Sequence, residues 1–156
     1  MADFSPLKAI LSGSVILKSE NEKAYQQEVD ETWNAATRTR KPDAFIRVAT
    51  VEDVANTVKF CVQNEREMCV CAAKSNEFAL ADGAVVIDLS DLNTVTVDVE
   101  RKVVLVGAGA KVGDVDKETA RHSLVTSLGS YSELGVTGVT LLGGTGFFEQ
   151  IAWLFC

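Results

Sequence analysis

Several features that place a chain in a specialised class are scarce in this sequence of 156 residues. It has 1 histidine and 2 prolines, and its 15 basic residues are outnumbered by 22 acidic ones, which gives a formal charge of −7. Nucleic-acid binding draws most of its affinity from clustered Lys and Arg, so we expect no nucleic-acid partner. No apolar run approaches the roughly 20 residues of a membrane-spanning helix, so we expect no membrane span.

Ligands for a metal site are also few. His122 is the only histidine, and Cys69 and Cys71 alternate along a predicted strand instead of forming the C-x-x-C pair of a zinc site. We therefore expect no metal and interpret the cysteines as core thiols. The first residues carry an acid at Asp3 and a lysine within the apolar run, unlike a secretory signal, so we expect a cytoplasmic protein.

The first half of the sequence predicts a parallel βαβ unit. Residues 24–36 predict a lead-in helix with Tyr25, Val29 and Trp33 one turn apart, and Pro42 ends it. Two β-type runs, 44–48 and 84–89, enclose a predicted helix and a shorter strand near residues 68–72. That helix begins at Thr50 and has an apolar stripe made of Val51, Val54, Ala55, Val58, Cys61 and Val62.

The pattern changes after the third strand. Residues 94–99 alternate polar with apolar side chains, and 102–106 return after a turn, which predicts an antiparallel hairpin. A short helix is expected over 114–122. The fold class is therefore α+β, a small parallel βαβ subdomain followed by an antiparallel subdomain.

Two glycine-rich segments are candidates for binding phosphate, because a missing Cβ lets a ligand approach the backbone N–H groups. The first, residues 107–113, lies between a predicted strand and a predicted helix, as the dinucleotide fingerprint G-x-G-x-x-G does. Its third glycine is one position late. The preceding strand is also the second arm of a hairpin, whereas the fingerprint follows the first strand of a βαβ unit. A nucleotide-binding α/β domain that uses this segment remains the less favoured alternative.

The second segment, residues 135–146, has five glycines in twelve positions. Its composition alone does not identify a ligand. Taken in order with other motifs, however, VVIDLSDLN at residues 85–93, VGAGA at 106–110 and GVTGVTLLGGTG at 135–146 resemble the FAD-linked oxidoreductases of the berberine-bridge-enzyme and vanillyl-alcohol-oxidase type. The resemblance covers most of the chain. It implies a partial FAD-binding domain of the PCMH type, with FAD lying between two α+β subdomains.

The resemblance also implies where FAD is bound. The second glycine-rich loop supplies the flavin contacts Gly135, Gly138, Gly143, Gly144 and Gly146. The loop that wraps the pyrophosphate in the family corresponds to Ala72, Ala73, Lys74, Ser75 and Asn76. Family members have glycines there and, in many members, a histidine that attaches the flavin, and neither is present here. We therefore expect noncovalent FAD, with Lys74 offsetting part of the charge of Glu77.

Three segments follow from this comparison. Residues 1–41 are a helical lead-in, 42–148 the partial FAD-binding domain, and 149–156 an apolar tail without a family counterpart that favours self-association. We expect the FAD-binding portion of an oxidoreductase that acts on a small molecule, incomplete and of little activity alone, with no catalytic residue identified. The alternative is a flavin-free remnant or interaction module.

Overall fold

A four-stranded sheet and a two-stranded sheet organise residues 3–146, the part of the chain that the computed structural model describes. They belong to two units, the first ending at Asp91 and the second beginning at Leu92. The α+β class is confirmed, since one sheet contains parallel strands and the other is antiparallel. The tail at 149–156 lies outside the described residues.

The first unit is built on a mixed sheet in the order β1-β2-β4-β3, with helices packed against it. Strands β2, β4 and β3 are parallel, which confirms the βαβ prediction, and β1 pairs antiparallel with β2. Its elements are α1 (Ser5–Lys8), β1 (Ser14–Ile16), α2 (Glu22–Asp30), a 3₁₀ helix (Ala35–Thr39), β2 (Ala44–Arg47), α3 (Val51–Gln63), β3 (Met68–Cys71) and β4 (Val85–Asp88). The predicted lead-in segment thus contributes the edge strand β1 as well as helices.

Helix α2 packs on the sheet through Tyr25 and Val29, as expected. The Tyr25 ring meets Phe45 edge-on with centroids 5.3 Å apart, and its hydroxyl donates to the Pro42 carbonyl at 2.8 Å. The prediction that Trp33 lies on the same face is wrong, because α2 ends at Asp30 and Trp33 is 74% exposed. A new turn begins at Asn34, whose side chain accepts from the Ala36 N–H at 3.0 Å.

Helix α3 begins as predicted, since the Thr50 hydroxyl accepts from the Asp53 N–H at 3.1 Å. The predicted apolar stripe is confirmed only in part: Cys61 is buried and Val54 and Val58 are half-buried, whereas Val51, Ala55 and Val62 are exposed. The buried face consists of Asp53, Thr57, Phe60 and Cys61. Two of these are polar but satisfied, because Asp53 caps nearby backbone and Thr57 donates to the Asp53 carbonyl at 2.7 Å.

Asp53 ties the start of the chain to the β2–α3 connection. Its carboxylate accepts from the N–H groups of Ser12, Gly13 and Ala49 at 2.9, 3.0 and 2.9 Å. Burial raises the pKa of Asp53, but these backbone donors outweigh burial and hold the pKa below its ordinary value. The buried aspartate is therefore a structural tether.

The second unit contains the predicted hairpin. Strands β5 (Val95–Asp98) and β6 (Val103–Val106) pair antiparallel, and α4 (Val112–Ala120) follows. The glycine-rich region holds a further helix, α5 (Val136–Leu142), which was not predicted. A small core joins these elements through Val112, Val115 and Val136, with Val95, Val104, Val106, Leu128 and Leu134 packed against them.

Three cysteines lie in the first unit as free thiols, with Cys61 and Cys71 buried and Cys69 half-buried. Burial raises the pKa of each thiol, so the reactive thiolate form is disfavoured. Within residues 3–146, no group of His, Cys, Asp and Glu is placed to hold a metal ion. The helices of this same stretch are all too short or too polar to cross a bilayer.

Candidate functional site

The expected phosphate loop follows β3 at the edge where the parallel strands β2, β4 and β3 all end. Along it, Ala72, Ala73 and Ser75 are half-buried, Asn76 is exposed, and Lys74 is only 6% exposed. Lys74 also has φ of +51°, a left-handed conformation that few residues other than glycine and asparagine adopt readily. The five residues therefore form one contiguous loop around a buried lysine.

The backbone N–H groups of residues 72–77 donate to no acceptor in the described part of the chain. The loop is held by bonds to its oxygens instead: the Lys74 carbonyl accepts from the Trp33 N–H at 3.0 Å, and the Asn76 side chain accepts from the Phe78 N–H at 2.9 Å. Successive N–H groups around a left-handed residue can form a concavity that binds anions. The loop thus has the donors that a phosphate group requires.

The Lys74 ammonium lies inside a carboxylate cluster formed by Glu28, Glu31 and Asp88. Nζ is 3.1 Å from Glu31 Oε2 and 3.3 Å from Asp88 Oδ2, and it also donates to Glu28 Oε2. Arg47 lies beside the cluster, 3.5 Å from Glu28. Burial lowers the pKa of Lys74, but these carboxylates outweigh burial and raise it above its ordinary value, so the side chain stays charged.

The position of Lys74 bears on its expected role beside Glu77. Its ammonium forms ion pairs with all three residues of the carboxylate cluster. Its charge is thus balanced within the fold and is not available to offset that of Glu77. The backbone N–H groups of the loop then remain as donors that can attract a phosphate.

The second expected segment is helical in its middle part. Gly135 is buried at the N-cap of α5, and Gly143 ends the helix with φ of +84°, a conformation that favours glycine. Gly144 is exposed, and a Cβ there would lie 3.0 Å from Val139 Cγ1. Gly146 is half-buried at the end of the described residues. One glycine, Gly138, therefore lies inside α5, while Gly135 and Gly143 cap its two ends and Gly144 and Gly146 follow it.

Gly138 differs from the others because nothing in the described chain requires it to be glycine. It lies inside α5 at an exposed position, and a Cβ built there would meet no atom within 4 Å. Glycine in a helix interior costs about 0.5–1 kcal/mol relative to alanine. A residue that weakens its own helix without relieving a clash is consistent with a ligand that approaches this backbone closely.

Helix α5 also forms a wall of an open cleft of about 470 Å³ within the second unit. Its lining is largely apolar and consists of Val104, Val106, Gly107, Ala108, Val115, Thr126, Ser127, Leu128, Val136, Thr137, Thr140 and Leu141. The buried Ser127 Oγ has no hydrogen-bond partner among the described residues, while the Thr137 hydroxyl donates to the Ala108 carbonyl at 2.6 Å. An apolar cleft with few polar atoms suits a flat, mostly apolar ring system.

Two of the three glycines of residues 107–113, Gly107 and Gly113, have structural reasons within the chain. A Cβ at Gly107 would lie 2.1 Å from the Leu92 carbonyl oxygen, and one at Gly113 would lie 2.9 Å from Ser132 Cβ. Gly113 is also the second residue of α4 and not part of a loop before it. These glycines allow the chain to pack against itself.

The N–H groups at the start of α4 are already in use. Those of Val112 and Gly113 donate to the carbonyls of Leu134 and Ser132 at 2.9 Å each, and the Lys111 N–H donates to Asp114 Oδ2 at 3.0 Å. No donor of these three is left for a phosphate, and β6 is the second arm of a hairpin as expected. The geometry therefore argues against a dinucleotide site at residues 107–113.

Comparison with known proteins shows the family of the chain. A family model described as "FAD binding domain" matches residues 42–154, most of the chain. The chain belongs to this FAD-binding domain family.

Curated relatives of this FAD-binding domain support the same family. FAD-linked oxidoreductase hasG of Aspergillus fumigatus is 38% identical over 125 residues, which is 75% of this chain and 27% of that protein. (R)-6-hydroxynicotine oxidase of Paenarthrobacter nicotinovorans is 31% identical over 110 residues, 69% of this chain and 24% of that protein. The chain thus spans about a quarter of the length of these curated relatives.

Solved structures confirm the fold of the domain. That of 6-hydroxy-D-nicotine oxidase from Arthrobacter nicotinovorans matches with a TM-score of 0.85 and 25% identity, over 99% of this chain and 33% of the other. BBE-like 1 from Physcomitrella patens matches with a TM-score of 0.85 and 20% identity, over 99% and 34%. The chain is therefore an FAD-binding domain of the FAD-linked oxidoreductases, and its cofactor is FAD.

The residues of this FAD-binding domain fit FAD in part. The backbone donors of the loop at 72–77 suit a pyrophosphate, and the apolar cleft and the exposed Gly138 suit the flavin ring. The methyl groups of Ala72 and Ala73 and the carboxylate of Glu77 oppose close approach of an anion.

The carboxylate cluster was not predicted from the sequence. Asp88 ends the VVIDL strand, and Glu28 and Glu31 lie three residues apart at the end of α2, in the predicted lead-in. An i, i+3 pair of acids on a helix is usually a solvated face. Only the fold, which brings the end of α2 beside the carboxyl ends of β3 and β4, joins them to Lys74.

Proposed function

We propose that this domain binds FAD noncovalently and is the flavin-binding portion of an oxidoreductase that passes a hydride from a small organic substrate to the flavin. The observation that carries the proposal is Gly138, a helix-interior glycine that no described chain atom requires. When bound, the flavin supplies the redox chemistry, and the protein supplies binding and orientation.

Within the first unit, the proposed phosphate-binding residues are Ala72, Ala73, Lys74, Ser75 and Asn76. Their N–H groups would donate to the phosphate oxygens, because charge-assisted bonds from backbone donors are strong and these donors have no other described partner. Histidine is missing from the loop, so the proposal includes no covalent bond to FAD there.

Within the second unit, the proposed flavin contacts are Gly135, Gly138, Gly143, Gly144 and Gly146. Gly138 and Gly144 are exposed and admit close approach, whereas Gly135 and Gly143 shape the ends of α5. The apolar cleft beside α5 would exclude water from a bound ring, and the unpaired Ser127 hydroxyl would gain a partner there.

Three further properties belong to the same proposal. The small-molecule substrate is bound by the whole enzyme, and the protein is cytoplasmic. Residues 149–156 promote self-association, since their apolar composition favours burial against another surface. None of these rests on the geometry of residues 3–146.

Titration of the purified protein with FAD, FMN and ADP tests the proposal. Quenching of flavin fluorescence measures FAD and FMN binding, and competition with FAD measures ADP binding. We expect FAD to bind more tightly than either half, because the proposed residues supply donors for phosphates and an apolar surface for the ring. A folded protein that binds none of the three would favour a flavin-free interaction module instead.

A further inference from the structure

Lys74 combines two features that are separately unfavourable. Its side chain is buried, and its backbone has φ of +51°, a region in which residues with a Cβ are uncommon. Glycine adopts this conformation without steric cost. Lysine therefore has a conformational cost here that glycine would not have, and contacts of the Lys74 side chain can offset it.

The contacts that can offset this cost are ion pairs of the Lys74 side chain. The ammonium meets all three members of the carboxylate cluster: Glu28 and Glu31 at the carboxyl end of α2, and Asp88 at the end of β4. The Lys74 carbonyl is fixed as well, by the Trp33 N–H at 3.0 Å. One residue is thus tied through its ammonium and its carbonyl to elements that do not belong to the loop.

Stability alone is a weak explanation for this arrangement. A buried ion pair seldom stabilises a fold more than apolar residues of the same volume, because both charges lose their hydration. Here the buried charges lie directly beneath a loop whose six consecutive N–H groups have no acceptor among residues 3–146. A fixed shape is what such a loop needs to bind an anion.

We propose that Lys74 is a positioning residue: its ammonium, held by the carboxylate cluster, keeps the loop backbone in the shape whose N–H groups receive the FAD pyrophosphate. The Lys74 side chain does not touch the phosphates; only its backbone N–H donates to them. It takes the place of a glycine at a left-handed position. This inference rests on the proposed function, since the pyrophosphate belongs to the FAD of that proposal.

The test compares two residues at position 74 that differ in their ability to adopt a positive φ. Lys74→Gly and Lys74→Met both remove the ammonium, and each is combined with Glu28→Gln so that the loss leaves fewer unpaired carboxylates. Lys8→Met is the matched control, because it removes an exposed ion pair with Glu20 in the same unit. FAD dissociation constants are measured by fluorescence titration of the full chain, and circular dichroism verifies folding.

The glycine variant is expected to bind FAD within about threefold of the unsubstituted protein, the methionine variant at least about tenfold more weakly, and the Lys8 control unchanged. Equal affinities of the glycine and methionine variants would overturn the proposal, because the backbone shape at position 74 would then not matter. If neither double variant folds, Glu31→Gln replaces them. It removes one charge from the half-exposed side of the cluster and should weaken FAD binding about threefold, and an unchanged affinity would count against the proposal.

A second measurement separates this inference from the proposed function. Hydrogen exchange of the Trp33 amide, which donates to the Lys74 carbonyl, is followed without FAD. Exchange should be at least about tenfold faster in the methionine variant than in the unsubstituted protein, and an unchanged rate would overturn the anchoring role. If the unsubstituted protein binds no FAD, the proposed function fails, and the pyrophosphate role of Lys74 fails with it, while the amide still decides whether Lys74 anchors the loop.

Discussion

Replacing Gly138 with alanine should make the protein more stable and weaken FAD binding. The new methyl group enters open space in the described chain, so it creates no clash within the fold. Alanine in a helix interior is favoured over glycine by about 0.5–1 kcal/mol. For a chain of this size, 1 kcal/mol changes the melting temperature by about 2–4 °C, so we expect a rise of about 1–4 °C without FAD.

The effect on FAD has the opposite sign if the ligand approaches this backbone. An added methyl at a close contact typically costs about 1–3 kcal/mol, which corresponds to a loss of affinity of about 5- to 150-fold. Thermal melting of the FAD-free protein and fluorescence titration with FAD measure the two effects on the same preparation. Higher stability with unchanged affinity would refute the reasoning, because Gly138 would then not face the cofactor.

Gly107→Ala is the matched control for this substitution. There the new Cβ would lie 2.1 Å from the Leu92 carbonyl oxygen, so the protein should lose stability. The melting temperature should therefore fall for Gly107→Ala, where glycine is required by packing, and rise for Gly138→Ala, where it is not.

Three further predictions follow from the structure and the sequence. Asp53→Asn should lower the free energy of unfolding by about 1.5–3 kcal/mol at neutral pH, measured by urea denaturation, because charge-assisted bonds to backbone N–H groups are weakened. Since the folded pKa of Asp53 lies below its unfolded value of about 3.9, its contribution is present above about pH 4 and is lost as the pH falls further, so the variant should lack that part of the acid dependence. Ala72→Gly combined with Ala73→Gly should raise FAD affinity by about 1–2 kcal/mol, measured by titration, if two methyl groups limit the approach of the phosphates. Deletion of residues 150–156 should reduce light scattering under reducing conditions and leave FAD affinity unchanged, and a stable monomer that is destabilised by the deletion would contradict the proposed role of the tail.

The sequence predicts the strands and the order of the two units because these depend on local patterns. The run at 84–89 is apolar enough to be a buried strand, and the alternation at 94–99 belongs to a hairpin with one exposed face, as β4 and β5 show. The cap at Thr50 is likewise local, since it needs only a hydroxyl three residues before the donor that it satisfies.

What could not be predicted depends on tertiary partners. The buried face of α3 was predicted only in part because Asp53, a polar residue, is buried with backbone donors at Ser12 and Gly13, about 40 residues away along the chain. The buried state of Lys74 has the same cause, since its partners come from α2 and β4. Helix α5 was missed because glycine and threonine lower helix propensity, whereas packing of Val136 in the second core stabilises it.

The most direct test of noncovalent FAD binding is the flavin content of the purified chain before and after acid precipitation. We predict a flavin absorbance spectrum with less than one FAD per chain, restored towards saturation by added FAD, and all of the flavin in the supernatant once the protein is precipitated. A protein that takes up no added FAD, or flavin fluorescence that stays with the denatured protein, would contradict the account.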